Sequence, residues 1–482
     1  MSHHKPDPDK NINLTIDGIP VTVPEGTRIL EAARAVNIHI PTLCDHPDLC
    51  KRAVCRICVV ECDGRRKLMA ACANDVWEGA NVVTHNDRII NARKTIIELL
   101  AADHPQECLS CIRSTNCELQ TLAQEFGLRD ASFAHNLLDR TMPQQESNTL
   151  VRDAGKCVKC GRCVEACQEV QNIRNINSSC RSIRYAISSP YGQALVDGSC
   201  VFCGHCAAVC PVAAIYEHDQ SRETWKILVD HKHYTAVSIA PWLAAAFNDA
   251  LDLPAGTLNP GKTVTALKRL GFDRVLNADN FYNAAADEEM NMLEQRIKNK
   301  GKLPLISGCS LGVIKFMKDS YPDLADLLSP CKRPLQLFAE EVKNLYPDTG
   351  GAHNQQLPHI CSVAVAPCIA QKFKYRFADT CPDIILSVNE LARIFTMSGI
   401  DFSDLPESPF DNSVQAPARA GLNCAEAGKG IQETEHAING TAVKIITVHG
   451  FANARIILDS VRKGKCDAAL IRIMSCPVKN SL

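Results

Sequence analysis

Most of the cysteines in the first 210 residues fall into four short runs. Cys44, Cys55, Cys58 and Cys72 are separated by 10, 2 and 13 residues. His104, Cys108, Cys111 and Cys117 follow, separated by 3, 2 and 5. The last two runs share one pattern of gaps, 2, 2 and 3: Cys157, Cys160, Cys163, Cys167, and then Cys200, Cys203, Cys206, Cys210 with Pro211 behind it. Thiolates so placed are soft ligands, suited to zinc or to iron–sulfur clusters. Disulfides are the competing use for 26 cysteines in 482 residues. The grouping into CxxC-type runs argues for metal, and the opening MSHHKPDPDKN lacks the apolar stretch of an export signal. A reducing cytoplasm is the expected setting.

The spacings choose between the metals. The last two runs carry the signature of a bacterial two-cluster ferredoxin, in which the fourth cysteine of each run serves the other cluster. One [4Fe–4S] cluster is therefore assigned Cys157, Cys160, Cys163 and Cys210, and another Cys200, Cys203, Cys206 and Cys167. The first run, with close cysteines in a loop and one distal ligand, suits a [2Fe–2S] cluster. A zinc knuckle is its alternative, although zinc sites favour two CxxC pairs. His104 with three thiols suits either a structural zinc or a [4Fe–4S] cluster whose one neutral ligand raises its potential, as in Rieske centres. The neighbouring cluster motifs favour iron–sulfur. Cys50 and Cys62 are read as spares and Cys180 as left over. One [2Fe–2S] and three [4Fe–4S] clusters in series make a wire of one-electron sites.

The elements that position these runs are legible in outline. Residues 11–24 read as a hairpin about Asp17–Gly18, with a helix from about Thr27. Residues 87–103 have helical periodicity, and 140–150 are polar enough for a linker. Beyond residue 233, short apolar strands (235–240, 303–307, 362–366, 383–388, 443–448, 468–474) alternate with helices, which implies parallel sheet. Charge is balanced, 52 Lys and Arg against 54 Asp and Glu, so nucleic acid is not an expected partner. No apolar run is long enough to span a membrane. There is no GxGxxG after a strand and no P-loop, so flavin and nicotinamide are expected in other chains.

In this order the motifs resemble the N-terminal half of multi-cluster [FeFe] hydrogenases, and the first two also resemble the large iron–sulfur subunit of respiratory complex I. Segments such as APWLAAAFNDALDLPAGT, ELARIFTMSGIDFSDLPESPFDN and HGFANARIILDSVRKG extend the likeness to the hydrogenase catalytic domain. The resemblance implies an α+β multidomain chain: a β-grasp [2Fe–2S] domain (10–88), a small helical [4Fe–4S] domain with one His and three Cys ligands (89–148), a two-[4Fe–4S] ferredoxin domain (149–232), and an α/β hydrogenase-like domain with parallel sheets (233–482), degenerate and truncated at its C-terminus.

Degeneracy shows in the catalytic motifs. The family's TSCCP-like motif reads here Ile306-Ser307-Gly308-Cys309-Ser310, with Gly308 in place of the proton-relaying thiol. The MPCxxKKFE motif reads Ala366 to Lys374: Cys368 is kept, Gln371 replaces the lysine that binds cyanide, and Lys374 replaces the acidic proton carrier. In the third motif Cys476 is kept, and Asn480 stands where a cysteine bridges to the di-iron unit. An amide cannot replace that bridging thiolate. The resemblance thus implies no di-iron hydrogen site and no hydrogen turnover, with a remnant cubane on Cys309, Cys368 and Cys476. Cys424 is expected as its substitute fourth thiolate, the alternative being a small buried residue. Cys331, Cys361, Cys381 and Cys466 are expected in the core or on the surface. Similar proteins pair with a flavin-containing NADH-binding subunit and a small thioredoxin-like [2Fe–2S] subunit. The expected function is electron transfer in a bifurcating, ferredoxin-dependent NADH/NADP(H) transhydrogenase-like complex, with an NADP(H)-binding subunit and ferredoxin as further partners. The rivals are a subunit of a bifurcating NAD(P)-linked [FeFe] hydrogenase, a redox sensor, and a subunit of a formate or other dehydrogenase complex.

Overall fold

The computed structural model describes residues 7, 9–129, 133, 144–145, 147–182, 185–230, 232–345, 359–374, 380–412, 430–438 and 441–475. Cys424, Cys476 and Asn480 lie outside these residues, as does part of the stretch read as a linker.

The chain begins with the hairpin β1 (Asn11–Ile16) and β2 (Ile19–Pro24). Asp17 and Gly18 both take positive φ, 47° and 80°, the twist a two-residue hairpin turn needs. Helix α1 (Ile29–Ala35) buries Ile29, Leu30, Ala32 and Ala33 in one cluster with the inward residues of the hairpin. Strands β3 (Val59–Cys62), β4 (Met69–Ala70) and β5 (Asn81–Val83) complete a sheet of order β2-β1-β5-β3-β4, in which β1 and β5 run parallel. Helix α2 (Asp87–Ala102), capped by the Asn86 side chain on the Ile89 N–H, and α3 (Glu118–Glu125) form the next unit.

A three-stranded sheet follows, order β10-β7-β6, from β6 (Gln144–Gln145), β7 (Leu150–Arg152) and β10 (Ile215–Glu217). Between β7 and β10 lie two short helices, α4 (Arg162–Glu165) and α5 (His205–Ala208), and the small ribbon of β8 (Asn177–Ser179) and β9 (Ala186–Ser188). Each short helix starts after a glycine in the left-handed region, Gly161 (φ 80°) and Gly204 (φ 79°). There a side chain would be strained.

Helix α6 (Ser221–Asp230) leads into the last domain, which holds two four-stranded sheets. The first, order β12-β11-β14-β15, is wholly parallel: β11 (His233–Ile239), β12 (Arg274–Asn277), β14 (His359–Ala366) and β15 (Ile384–Ser387). Around it pack α7 (Leu243–Ala250), α8 (Pro260–Leu270), α9 (Asp279–Lys298), α11 (Pro334–Leu345) and α12 (Val388–Ser398). The second has order β13-β18-β17-β16: β13 (Leu305–Gly308), β16 (Ile431–Ile438), β17 (Thr441–His449) and β18 (Leu470–Met474). Helices α10 (Leu311–Ser320) and α13 (Phe451–Arg462) pack on it. The edge strand β16 departs from the expected parallel pattern, pairing antiparallel with β17. Its sequence, IQETEHAI, is exposed along nearly its whole length and carries no apolar face to read.

Buried polar contacts join the domains. Arg162, on α4, donates two hydrogen bonds of 2.5 and 2.7 Å to Glu118 of α3 and a third, 2.8 Å, to the Asp45 carbonyl beside Cys44. Lys372 is 1% exposed; its Nζ lies 2.8 Å from Glu217 of β10, 2.6 Å from Glu390 of α12 and 2.9 Å from the His218 carbonyl.

Candidate metal centres

The first run lies in the long segment between α1 and β3, with Cys72 just after β4. The Cys55 and Cys72 thiols hydrogen-bond to Cys44 and hold it far below the ordinary thiol range, to about 2, while both donors are pushed up in return. Cys72 also bonds to Cys58 and draws it down to about 7. The four sulfurs therefore stand together and share their protons, the arrangement a cationic cluster would replace. Cys62 is buried in the core on β3 and Cys50 is exposed.

His104 follows α2. Its ring hydrogen-bonds to the Lys156 backbone, and Nδ1 is buried without a partner. A ring with one nitrogen oriented by backbone and the other free is how ligating histidines are commonly held. Cys108, Cys111 and Cys117 lie close enough for their charges to interact. Cys108 is exposed, and Leu109 next to it is 99% exposed, so this group reaches the surface.

The two later runs exchange their last members. Cys157, Cys160, Cys163 and Cys210 line one cavity, walled by Ile176 and Ile187. Cys200, Cys203 and Cys206 have Cys167 as their charged neighbour from the other run. Burial pushes Cys160 and Cys203 up to about 12, and it raises Cys163 and Cys206 well above the ordinary thiol value. Crowded buried thiols resist ionising alone; metal ions reverse that preference. Cys180 is exposed and outside both groups. Among the described residues no three His, Cys, Asp or Glu side chains converge tightly enough to hold one metal ion. Cys157, Cys160, Cys163 and Cys210 surround a volume instead.

In the last domain Cys309 follows β13, and Cys368 lies just beyond β14. Cys368 neighbours Cys203 of the preceding domain. A β-carbon on Gly204 would lie 2.2 Å from the Ile369 side chain, and one on Gly312 would lie 2.1 Å from the Val201 carbonyl oxygen. Phe202 and Phe373 stack with ring centres 4.3 Å apart. The two domains thus meet backbone to side chain beside their cysteines. Cys309 Sγ accepts the Ser475 N–H at 3.2 Å.

Cys309, Cys331 and Cys381 line one cavity of about 70 Å³ with Arg333, Gln371 and Ser307. The sequence carries no sign of this shared place for Cys331 and Cys381, since isolated cysteines have no spacing signal. Cys361 is in the core and Cys466 lies at its margin. A β-carbon at Gly308 would come within 2.5 Å of Val313, so a side chain at position 308 would have to displace that valine. Glu289, beside the cavity, is tied to Arg472 by bonds of 2.7 and 2.6 Å. Lys374 reaches the Asp383 carbonyl at 3.0 Å.

Three families match parts of the chain: the iron only hydrogenase large subunit, C-terminal domain, over residues 233–478; a 2Fe-2S iron-sulfur cluster binding domain over 9–87; and the NADH-ubiquinone oxidoreductase-G iron-sulfur binding region over 93–132. An NADP-reducing hydrogenase subunit of Solidesulfovibrio fructosivorans is 32% identical over 97% of this chain and 87% of its own length. Iron hydrogenase 1 of Clostridium pasteurianum is 28% identical over 96% and 86%. A subunit of the NADH-quinone oxidoreductase of Streptomyces coelicolor is 35% identical over 31% of this chain and 18% of its own.

Proposed function

Since the chain belongs to the iron only hydrogenase large-subunit family, whose members are oxidoreductase components, we propose that it is the electron-transfer subunit of a bifurcating, ferredoxin-dependent NADH/NADP(H) transhydrogenase-like complex that turns over no hydrogen. Its ligands are the four sets named above, one for a [2Fe–2S] and three for [4Fe–4S] clusters, with a remnant cubane on Cys309, Cys368 and Cys476 and Cys424 as its fourth thiolate. Bound clusters would supply one-electron carriers.

The observation that carries the reading is the seam at Gly204 and Ile369. There the thiol group of Cys167, Cys200, Cys203 and Cys206 abuts Cys368. Arg162 clamps the Asp45 loop, α3 and α4 together, so the earlier thiol groups keep fixed separations. The exposed group at Cys108 is the natural place for an electron to enter from a partner chain. Against hydrogen chemistry stand Gly308 for the relay thiol, Gln371 for the cyanide anchor and Lys374 for the acidic carrier.

The expected partners are a flavin-containing NADH-binding subunit, a thioredoxin-like [2Fe–2S] subunit and an NADP(H)-binding subunit. The experiment is anaerobic purification of the native assembly, identification of its subunits, and assay of NADP⁺ reduction by NADH with reduced ferredoxin. Hydrogen evolution by the matured complex would overturn the reading. It would favour the second one, a subunit of an NAD(P)-linked hydrogenase, which the near full-length match to an NADP-reducing hydrogenase subunit supports. A copurifying formate-oxidising subunit would point to a dehydrogenase complex instead.

A further inference from the structure

The cavity of about 70 Å³ in the last domain carries an unmatched charge. Arg333 lines it, just ahead of α11. Burial lowers this guanidinium below the ordinary arginine value, yet an arginine keeps its proton even so. Its backbone N–H donates to Gln336 Oε1 at 3.1 Å, but its side chain makes no ion pair and no hydrogen bond among the described residues. The other charged side chains of the lining are already engaged. Glu289 lies 2.6 Å from Arg472, and Lys332 lies 2.7 Å from Glu340. Burial raises the Cys331 and Cys381 thiols, so both stay protonated near neutral pH. Apart from Cys309, the lining side chains therefore sum to one positive charge.

Two neutral groups of the same wall also lack partners. Ser307 Oγ and Gln371 Oε1 are buried, and neither has a hydrogen bond among the described residues. Leaving such groups unmet costs stability that a bound molecule would restore. The Ser307 hydroxyl can donate to a bound oxygen, and the Gln371 amide, turned about, offers N–H groups in the same place. The first residues of α10 and α11, helices of ten and twelve residues, line the cavity as well, so two positive helix ends add to the guanidinium. The volume exceeds several-fold the room that one water needs.

We propose that this cavity binds a small planar monoanion of the carboxylate class, formate or bicarbonate, with the Arg333 guanidinium as its counter-charge and the Ser307 hydroxyl as a further donor. A guanidinium presents two parallel N–H donors that match a carboxylate in shape as well as charge. A dianion such as sulfate would leave a negative charge over in the cavity, and a neutral molecule would leave the guanidinium unpaired. The site goes beyond electron transfer and is built from the chain's own side chains.

The test is calorimetric titration of the full chain, purified without oxygen, with sodium formate and separately with bicarbonate, at fixed ionic strength. Saturable binding that equal concentrations of sulfate do not displace is expected for at least one of the two. Arg333→Gln should weaken it about a hundredfold, the loss of a bidentate charged pair, and Arg333→Lys should weaken it less. Gln371→Glu puts a carboxylate into the same cavity. It should abolish binding while raising the melting temperature, and it decides the matter even where Arg333→Gln fails to fold. No saturable binding of either anion, displacement by sulfate, or unchanged binding in Arg333→Gln or Gln371→Glu overturns the proposal. Cys368 does not line the cavity, so binding should persist in Cys368→Ser, whose iron content tests the remnant cubane separately. Binding lost together with that iron would place the anion on a cluster and overturn the proposal.

Discussion

Replacing Lys372 by methionine is the most informative perturbation of the seam between the ferredoxin-like and hydrogenase-like halves. The lysine is the cation of a buried group that also holds Glu217, 17% exposed, and Glu390, 0% exposed. With two carboxylates to one ammonium, one negative charge is surplus. It falls on Glu217: burial first, then Glu390, raise its value from 4.5 to about 7 against the pull of Lys372. A carboxyl raised in the folded chain holds its proton longer there than in the unfolded chain. Its stabilising effect is whole below pH 4.5 and drains away as the pH climbs to about 7. At 1.36 kcal/mol per pH unit this amounts to about 3 kcal/mol. Lys372→Met removes the cation of the group and should cost a further ~3–5 kcal/mol at pH 8, the usual penalty for orphaning a buried charge. At pH 6 the loss should be smaller, because Glu217 can be protonated instead. Trp225 and Trp242 pack against the adjoining core, so urea unfolding followed by tryptophan fluorescence reads this region. An equal loss at pH 6 and pH 8, or a loss under about 1 kcal/mol, would refute the assignment of Lys372 as the counter-charge.

Other perturbations test the remaining joints. Arg162→Gln breaks three hydrogen bonds to Glu118 and Asp45, each charge-assisted bond being worth ~1.5–3 kcal/mol. Hydrogen exchange should quicken around residues 45 and 118 while β1 and β2 stay protected. Gly204→Ala forces a β-carbon to 2.2 Å from Ile369 at a φ of 79°, and should cost about 1–3 kcal/mol. Adding Ile369→Ala should recover part of this but not all, since the backbone strain stays; thermal melts of both variants decide it. Gly308→Cys, which would restore the family's thiol, should destabilise by about 1–3 kcal/mol because Val313 occupies the space. Pairing it with Val313→Ala should restore the melting temperature without any gain in hydrogen evolution.

What the sequence made legible follows from local chemistry. The hairpin was readable because Asp17–Gly18 is a turn dipeptide between alternating strands, and α2 because its apolar residues repeat at helical spacing. Spacing alone suggested that Cys167 and Cys210 trade places, since a short loop fixes three thiols and leaves the fourth to reach across, and Cys210 does line one cavity with Cys157, Cys160 and Cys163. Long-range placement left no such mark. Nothing near His449, at the end of β17, signals that β17 and β13 lie on either side of β18, because the sheet alone brings them there. Arg333, Cys331 and Cys381 share a cavity with Cys309 and Gln371 although they are spread along the chain. The polar strand β16 went unread because exposure erases the alternation that reveals a half-buried strand.

On the proposed ligand sets, the traded fourth cysteines would also constrain birth order. A nascent chain that has emerged only as far as Cys167 would hold three thiols for one cubane and a single one for the next, so neither could close. Completion would wait until Cys210 leaves the ribosome, and then both would close within one short stretch of synthesis. Iron delivery to this region would be paired, and a carrier arriving early would meet an unfinished binding site twice over.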